Sequence, residues 1–403
     1  MLTYEQARLK VIEVVSAAGV REGTEKVRLE EALGRVLAQE VRADRDYPPF
    51  DRAIRDGYAV QANEAQAGAT LHCSREIRAG QSVREALVPG TCAQIMTGAP
   101  VPPGADAVVM VEHAHLDDGM VHFDRAAIAG QHIVQRGSEA SAGALLIRAG
   151  VRLGYAEIAL AAQVGLVQPL VQKRPKVAIL STGDEVVASS SVPGTSQIRN
   201  SNSYSLLAQV SLLRGQPVLL GNARDDMEDL SAKISRGLQE DVLIISGGVS
   251  MGKYDLVEPA LKELGAEFFF DSVAIRPGKP TVFAKCGKTF VFGLPGNPVS
   301  TMVTFELFAV PAIDLLSGAA PRPLGLLEAQ LGESLREKAG LTHFLPARLD
   351  WVSGVPVVKP LRWQGSGDIT AVAKSNCLLV IPADKEALAE GERVAVIPRR
   401  DLI

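Results

Sequence analysis

Between residues 173 and 320 the chain holds three short, uninterrupted apolar runs: Lys176-Val-Ala-Ile-Leu180, Val242-Leu-Ile-Ile245 and Phe290-Val-Phe292. A brief run with no polar face is the pattern of a strand covered on both sides. Helical stretches are expected between these runs, at 203–213, 227–238 and 255–264. Such alternation builds βαβ units and a mostly parallel sheet. Each run passes directly into a polar, glycine-bearing segment: Ser181-Thr-Gly-Asp-Glu185, Ser246-Gly-Gly-Val-Ser-Met-Gly252 and Gly293-Leu-Pro-Gly-Asn-Pro298. Ligands of open parallel sheets bind just beyond the carboxyl ends of the strands. Three loops at three such ends therefore predict one crevice.

The loops have the chemistry of an anion site. Gly247 and Gly248 carry no Cβ, so their backbone N–H groups can approach a phosphate closely. Gly296-Asn-Pro298 leads into an expected helix at 299–310, with Asn297 suited to the N-cap and Pro298 to the first turn. The open N–H groups of that helix would favour an anion, although the same residues also make an efficient helix start. Carboxylates crowd the region: Asp184, Glu185, Asp225, Asp226 and Asp255. Oxygen ligands suit Mg²⁺, which usually takes one or two carboxylates plus substrate phosphates. Asp226 reads better as a cap or solvated loop residue. Lys279, in Arg276-Pro-Gly-Lys279, offers a point charge to an oxyanion.

The rest of the chain divides around this segment. A capping box at Thr3 and Gln6 opens an amphipathic helix at 3–18, and a second short helix is expected at 29–37. From about 41 to 137, β-favouring runs such as Ala107-Val-Val-Met-Val111 and Met120-Val-His-Phe123 alternate with Gly, Pro and Asp, the texture of a turn-rich β-domain. Residues 154–164 are helical again and are grouped with the N-terminal helices. The expected regions are thus a discontinuous helical layer (1–40 and 138–172), an inserted β-rich domain (41–137), an α/β domain (173–320) and a C-terminal β-domain (321–403). The last is a small barrel or sandwich carrying Phe344-Leu-Pro-Ala-Arg-Leu349, Val355-Pro-Val-Val358, Cys377-Leu-Leu-Val-Ile381 and Arg393-Val-Ala-Val-Ile397.

Of 403 residues, 47% are hydrophobic and 22% charged, with a net charge of −4. This is the balance of a globular protein without the basic footprint of a nucleic-acid binder. Cys73, Cys92, Cys286 and Cys377 form no CxxC pair and read as reduced, mostly buried thiols. The first ten residues carry early charges and no apolar segment, so no signal peptide is expected. No apolar run of ~18 residues is evident, so no membrane span is expected. The cytoplasm is the expected compartment.

The motifs together resemble a known family. They are Asp56-Gly-Tyr-Ala59, Thr97-Gly-Ala-Pro-Val-Pro-Pro-Gly-Ala-Asp-Ala107, Ser181-Thr-Gly-Asp-Glu185, Ile198-Arg-Asn-Ser-Asn202, Gly247-Gly-Val-Ser-Met-Gly-Lys-Tyr-Asp255, Pro277-Gly-Lys-Pro280 and Gly293-Leu-Pro-Gly-Asn-Pro-Val-Ser300. In this order, over nearly the whole chain, they resemble the molybdopterin molybdenumtransferases, the MoeA family that includes the gephyrin E domain. The resemblance implies an elongated homodimer in which the inserted domain of one protomer faces the molybdopterin-binding α/β domain of the other. It also implies the reaction. Molybdate and adenylylated molybdopterin are the substrates, molybdenum passes to the dithiolene sulfurs, and the adenylate is hydrolysed with Mg²⁺ to release AMP.

Carried onto this chain, the resemblance makes Asp255 the metal ligand. Asp56, Thr97, Glu185, Asp225 and Lys279 line the transfer site. Thr182, Gly183 and Asp184 bind substrate, and Ser246, Gly247, Gly248, Ser250, Gly252, Pro295, Gly296, Asn297 and Pro298 hold the nucleotide or pterin phosphates. Ser366, in Gly365-Ser-Gly367, reaches toward molybdate. The chain departs from the family pattern at Ala53, Ile54 and Arg55, where Ser-Ala-Met is usual, and at Glu139, where Asp is common. These changes bear either on metal preference, such as tungstate in place of molybdate, or on a changed role. The competing readings are an enzyme like molybdopterin adenylyltransferase, and a gephyrin-like scaffold or binding module. The first is a single small domain, without the Asp56 and Thr97 motifs or a C-terminal β-domain.

Overall fold

The computed structural model describes residues 1–19, 23–249 and 256–402. Helix α1 (Tyr4–Ala17) begins at the expected capping box: the Gln6 N–H donates to the Thr3 hydroxyl, and the Thr3 N–H donates to the Gln6 side chain. Its stripe of Ala7, Val11 and Val15 packs into the same core as Phe270, Phe305 and Phe308. Helix α2 (Tyr155–Gln163) belongs to a different core, built on Ala32, Leu37, Val41, Leu153 and Val171. The helical grouping expected from the sequence is therefore divided. Amphipathic spacing shows that α1 has an apolar face, but not which apolar surface meets it. The helix expected at 29–37 reduces to one 3₁₀ turn, Leu29–Glu31. Gly34 there has a φ of +74°, and its N–H is taken by the Leu153 carbonyl.

The inserted region folds around a six-stranded sheet. Its strands are β1 (Gly57–Val60), β2 (Thr70–Ile77), β3 (Thr91–Ile95), β4 (Ala107–Met110), β5 (Ala114–Asp117) and β6 (Met120–Phe123), in the order β4-β1-β3-β2-β6-β5. One hydrophobic cluster holds Tyr58, Val60 and Phe123, and a second holds Ala59, Ile77 and Ile95. All their members lie between residues 53 and 133.

The α/β domain has the expected buried strands in a mixed sheet. They are β7 (Lys176–Thr182), β8 (Gln216–Ala223), β9 (Val242–Ser246), β10 (Glu267–Phe270), β11 (Val282–Cys286) and β12 (Thr289–Leu294), in the order β8-β7-β9-β12-β11-β10. The first four are parallel, and β11 and β10 add an antiparallel edge. From β7 the chain moves outward to β8, then returns to the opposite side of β7 as β9. That reversal between β7 and β9 is a topological switch point, where a crevice opens at the strand ends. Helices α3 (Asn202–Leu212), α4 (Met227–Gly237) and α5 (Val257–Glu263) flank the sheet.

Helix α6 spans Pro298–Leu316, longer than expected. By length and composition alone it could cross a membrane, but 83% of its most apolar window is buried inside the protein. It is a core helix. A π-helical turn at Phe305–Ala309 precedes Pro311. Proline cannot donate to the carbonyl four residues back and its ring crowds that carbonyl. The freed Leu307 carbonyl accepts the buried Arg8 guanidinium at 2.8 Å, which ties α1 to α6.

The C-terminal strands β13 (Leu327–Leu331), β14 (Thr342–Val352), β15 (Val355–Pro360), β16 (Cys377–Ile381) and β17 (Arg393–Pro398) close in the order β14-β15-β13-β17-β16-β14. Of the two expected forms, the structure takes the barrel. Strand β14 extends the sheet pairing to Ile275–Arg276, so the barrel sits against the α/β domain.

Candidate functional site

A crevice of about 440 Å³ opens at the carboxyl ends of β7, β9 and β12. It is lined by Thr182 at the end of β7 and Gly183 and Glu185 after it, by Ser246, Gly247 and Gly248 at the end of β9, and by Pro295, Gly296, Asn297 and Pro298 after β12. Asp225, after β8, completes this set. The three loops singled out in the sequence therefore meet. Ser250, Gly252 and Asp255 lie outside the described residues.

The glycines are required by the approach of the loops. Gly247 has a φ of +101°, and a Cβ there would lie 2.7 Å from the Thr182 hydroxyl and 3.0 Å from its carbonyl oxygen. Gly248 has a φ of +65°. The Thr182 hydroxyl is buried with no hydrogen-bond partner among the described residues. Gly183 similarly leaves room for Glu185, whose carboxylate folds back to 2.5 Å from the position of the missing Cβ.

Asp184 and Asp225 face each other. The Asp184 N–H donates to the Asp225 carboxylate at 3.4 Å, and the Asp225 N–H donates to that of Asp184 at 3.2 Å. Both are exposed, and among the described residues no ion pair joins either to a basic side chain. Two carboxylate groups with free oxygens and no paired cation fit a divalent ion that fills its remaining positions with water and phosphate. Among the described residues there is no group of three or more protein ligands. Asp226 takes the capping role expected of it and accepts the Asp229 N–H at the start of α4.

Two placements differ from expectation. Asn297 stands at the N-cap of α6, but its side chain makes no cap bond. The Val299 N–H donates instead to the Ser366 carbonyl at 2.9 Å. The first turn of α6 is thus partly closed by a loop from the C-terminal domain, and Ser366 meets the α/β domain through its backbone. Asp368 holds that loop, with its carboxylate accepting the N–H groups of Gln364 and Ala371. These bonds keep Asp368 below the ordinary carboxylate range. Lys279 is exposed beyond the crevice residues. Its carbonyl accepts the N–H groups of Val273 and Thr281, which fixes its backbone.

Asp56 and Thr97 lie in the inserted domain. The Thr97 N–H and hydroxyl both donate to one Asp56 oxygen, and these bonds hold the Asp56 carboxyl below its ordinary range. Arg55, beside it, is exposed. Glu139 does not hang free: it pairs with Arg52 at 2.9 Å. The cores of this domain and of the α/β domain share no residue.

Ser181, Asn200 and Asn202 also line the crevice, and no role for them is evident in the sequence. The only signal for the asparagines was the motif Ile198-Arg-Asn-Ser-Asn202.

Three family models together match most of the chain: the MoeA N-terminal region (domains I and II) over residues 2–165, a probable molybdopterin-binding domain over 178–315, and the MoeA C-terminal region (domain IV) over 328–399. A Nostoc protein named molybdopterin molybdenumtransferase is 34% identical, with the alignment covering 96% of this chain and 91% of that one. A Bacillus subtilis protein of the same name is 33% identical, with 94% and 90% covered. Two Pyrococcus horikoshii molybdopterin biosynthesis MoeA structures are also similar. One has a TM-score of 0.77 at 33% identity, covering 99% of both chains. The other has a TM-score of 0.83 at 29% identity, covering 99% of this chain and 100% of that one.

Proposed function

The chain belongs to the molybdopterin molybdenumtransferase (MoeA) family, and on that premise we propose that it inserts molybdenum, taken from molybdate, into adenylylated molybdopterin, with Mg²⁺-dependent hydrolysis of the adenylate to AMP. The transferase role in molybdenum-cofactor biosynthesis follows from relatives that match it from end to end. The observation that carries the finer reading is the crevice at the switch point, where a Gly-Gly loop, a Pro-Gly-Asn-Pro loop and Asp225 converge, with Asp184 facing Asp225 outside the lining. The related adenylyltransferase reading explains only the α/β domain, and a scaffold role needs none of this polar lining.

The roles follow from position. The Gly247 N–H is taken by the Leu294 carbonyl at 3.0 Å, which corrects the expectation that it is open to an anion. The Gly248 backbone N–H, which no side chain of its own shields, binds a phosphate oxygen. Asn297, whose side chain is not used as a cap, is available to the same ligand. Asp184 and Asp225, with Asp255, would hold Mg²⁺. That ion would offset the charge of the phosphoanhydride as it breaks. Glu185 and Lys279 flank the crevice and orient the molybdate and the pterin substituents.

The Asp56–Thr97 pair belongs to the same active site only through a second copy of the chain. The inserted domain has its own cores, separate from those beneath the strand ends. A homodimer that sets one protomer's Asp56 against its partner's crevice supplies the missing wall. The cytoplasm suits this role.

A Mg²⁺ titration of AMP release tests the carboxylates. Asp225→Asn and Asp255→Asn should each require about tenfold more Mg²⁺ for half-maximal rate. An unchanged titration in both variants would remove these carboxylates from the metal role.

A further inference from the structure

A small excursion after β7, in which Val186–Val187 pairs in parallel with Ile198–Arg199, returns the chain across the mouth of the sheet. It delivers residues 200–202 over the ends of three strands. The Asn200 side-chain amide donates to the Ser181 hydroxyl, at the end of β7, at 2.7 Å. The Asn202 amide donates to the Ser246 hydroxyl, at the end of β9, at 2.8 Å, and to the Gly296 carbonyl, beyond β12, at 2.7 Å.

The orientation of Asn202 is determined chemically. Turning its amide over would set its oxygen against the Gly296 carbonyl, two acceptors with no hydrogen between them. Its oxygen is buried with no partner among the described residues. Among the described residues the side chain is held by its two N–H bonds, and those bonds add a side-chain link between the two glycine-bearing loops beyond the backbone bond from the Gly247 N–H to the Leu294 carbonyl. Without them, nothing else from the 198–202 segment spans Ser246 and Gly296.

We propose that Asn202 is a positioning residue that sets the spacing between the Gly247–Gly248 loop and the Gly296–Pro298 loop, and so determines how tightly the crevice holds the phosphate-bearing pterin. Asn200 does the same for the end of β7. The inference rests on the reading of this crevice as the binding site for adenylylated molybdopterin. Asn202 acts through Ser246 and Gly296 and needs no contact with the reacting atoms.

The test compares wild type, Asn202→Asp, Asn202→Gln, Ser246→Ala and the Asn202→Asp/Ser246→Ala double variant of the full chain, using adenylylated molybdopterin as the probe. Asn202→Asp keeps the shape and removes both donors. It should raise Kd and KM about tenfold, the usual worth of such bonds, and leave kcat within about twofold. Asn202→Gln keeps the donors and should recover most of the affinity. Ser246→Ala and Asn202→Asp should be less than additive, because each removes the same bond. Thermal melting within a few degrees of wild type would show that the variants fold. Unchanged KM in Asn202→Asp, a fall confined to kcat, or full additivity in the double variant would overturn the inference. Failure of the wild type to bind the probe would overturn the site reading, and this inference with it.

Discussion

Thr97 donates two hydrogen bonds to one oxygen of Asp56, from its backbone N–H at 2.6 Å and from its hydroxyl at 2.8 Å. The residues are 41 positions apart, and each belongs to a motif that secondary structure alone does not explain. Bonds to the charged form lower a carboxyl pKa. The backbone bond is the larger cause here and the hydroxyl bond the second. Asp56 therefore stays ionised at a pH where an ordinary aspartate begins to take a proton.

Thr97→Val should move the Asp56 pKa upward but only partway, because the backbone bond remains. The sign also sets the pH behaviour. The bonds favour the folded state above the ordinary carboxylate pKa, and that contribution is lost as pH falls through the lowered folded value. A carbon-detected NMR titration of the Asp56 carboxyl in both proteins checks this. Equal titration curves would show that the hydroxyl does not act on Asp56.

Gly57 follows Asp56 and begins β1. A Cβ at Gly57 would lie 2.0 Å from the Val109 carbonyl oxygen and 3.0 Å from the Met110 Cα, both backbone atoms of β4. Gly57→Ala must part β1 from β4, and should cost the inserted domain about 3 kcal/mol. Hydrogen exchange should accelerate at residues 57–60 and 107–110 while the α/β sheet keeps its protection. Unchanged exchange at 57–60 would contradict the close approach.

Arg8 tests the joint between α1 and α6. It donates to the carbonyls of Leu307 and Arg322 from a buried position. Arg8→Met leaves both carbonyls without that donor and should destabilise the protein by about 2–4 kcal/mol. Urea unfolding measures the loss. A midpoint equal to wild type would show that the bonds contribute nothing net.

Much of the site was legible because burial and polarity change abruptly at a strand end. Lys176 to Leu180 and Val242 to Ile245 are apolar runs, and the next residues are Ser, Thr and Gly, so the position of the crevice follows from pattern alone. The partners of those loops were not legible in the same way. Asn202 is one polar residue in a polar stretch, and its role depends on how β9 and β12 are registered side by side. Asn297 was expected to cap α6 because the local signal is strong, yet the Val299 N–H goes to Ser366, 67 positions onward in another domain. The same limit applies to α1. Its spacing predicts a buried stripe, while the surface that buries it depends on the π turn before Pro311.

The most direct measurement is AMP release by the purified full chain given adenylylated molybdopterin, Mg²⁺ and molybdate. Release should depend on molybdate and be accompanied by active cofactor. AMP release that is the same with and without molybdate, or none at all, would contradict the proposed molybdenum insertion.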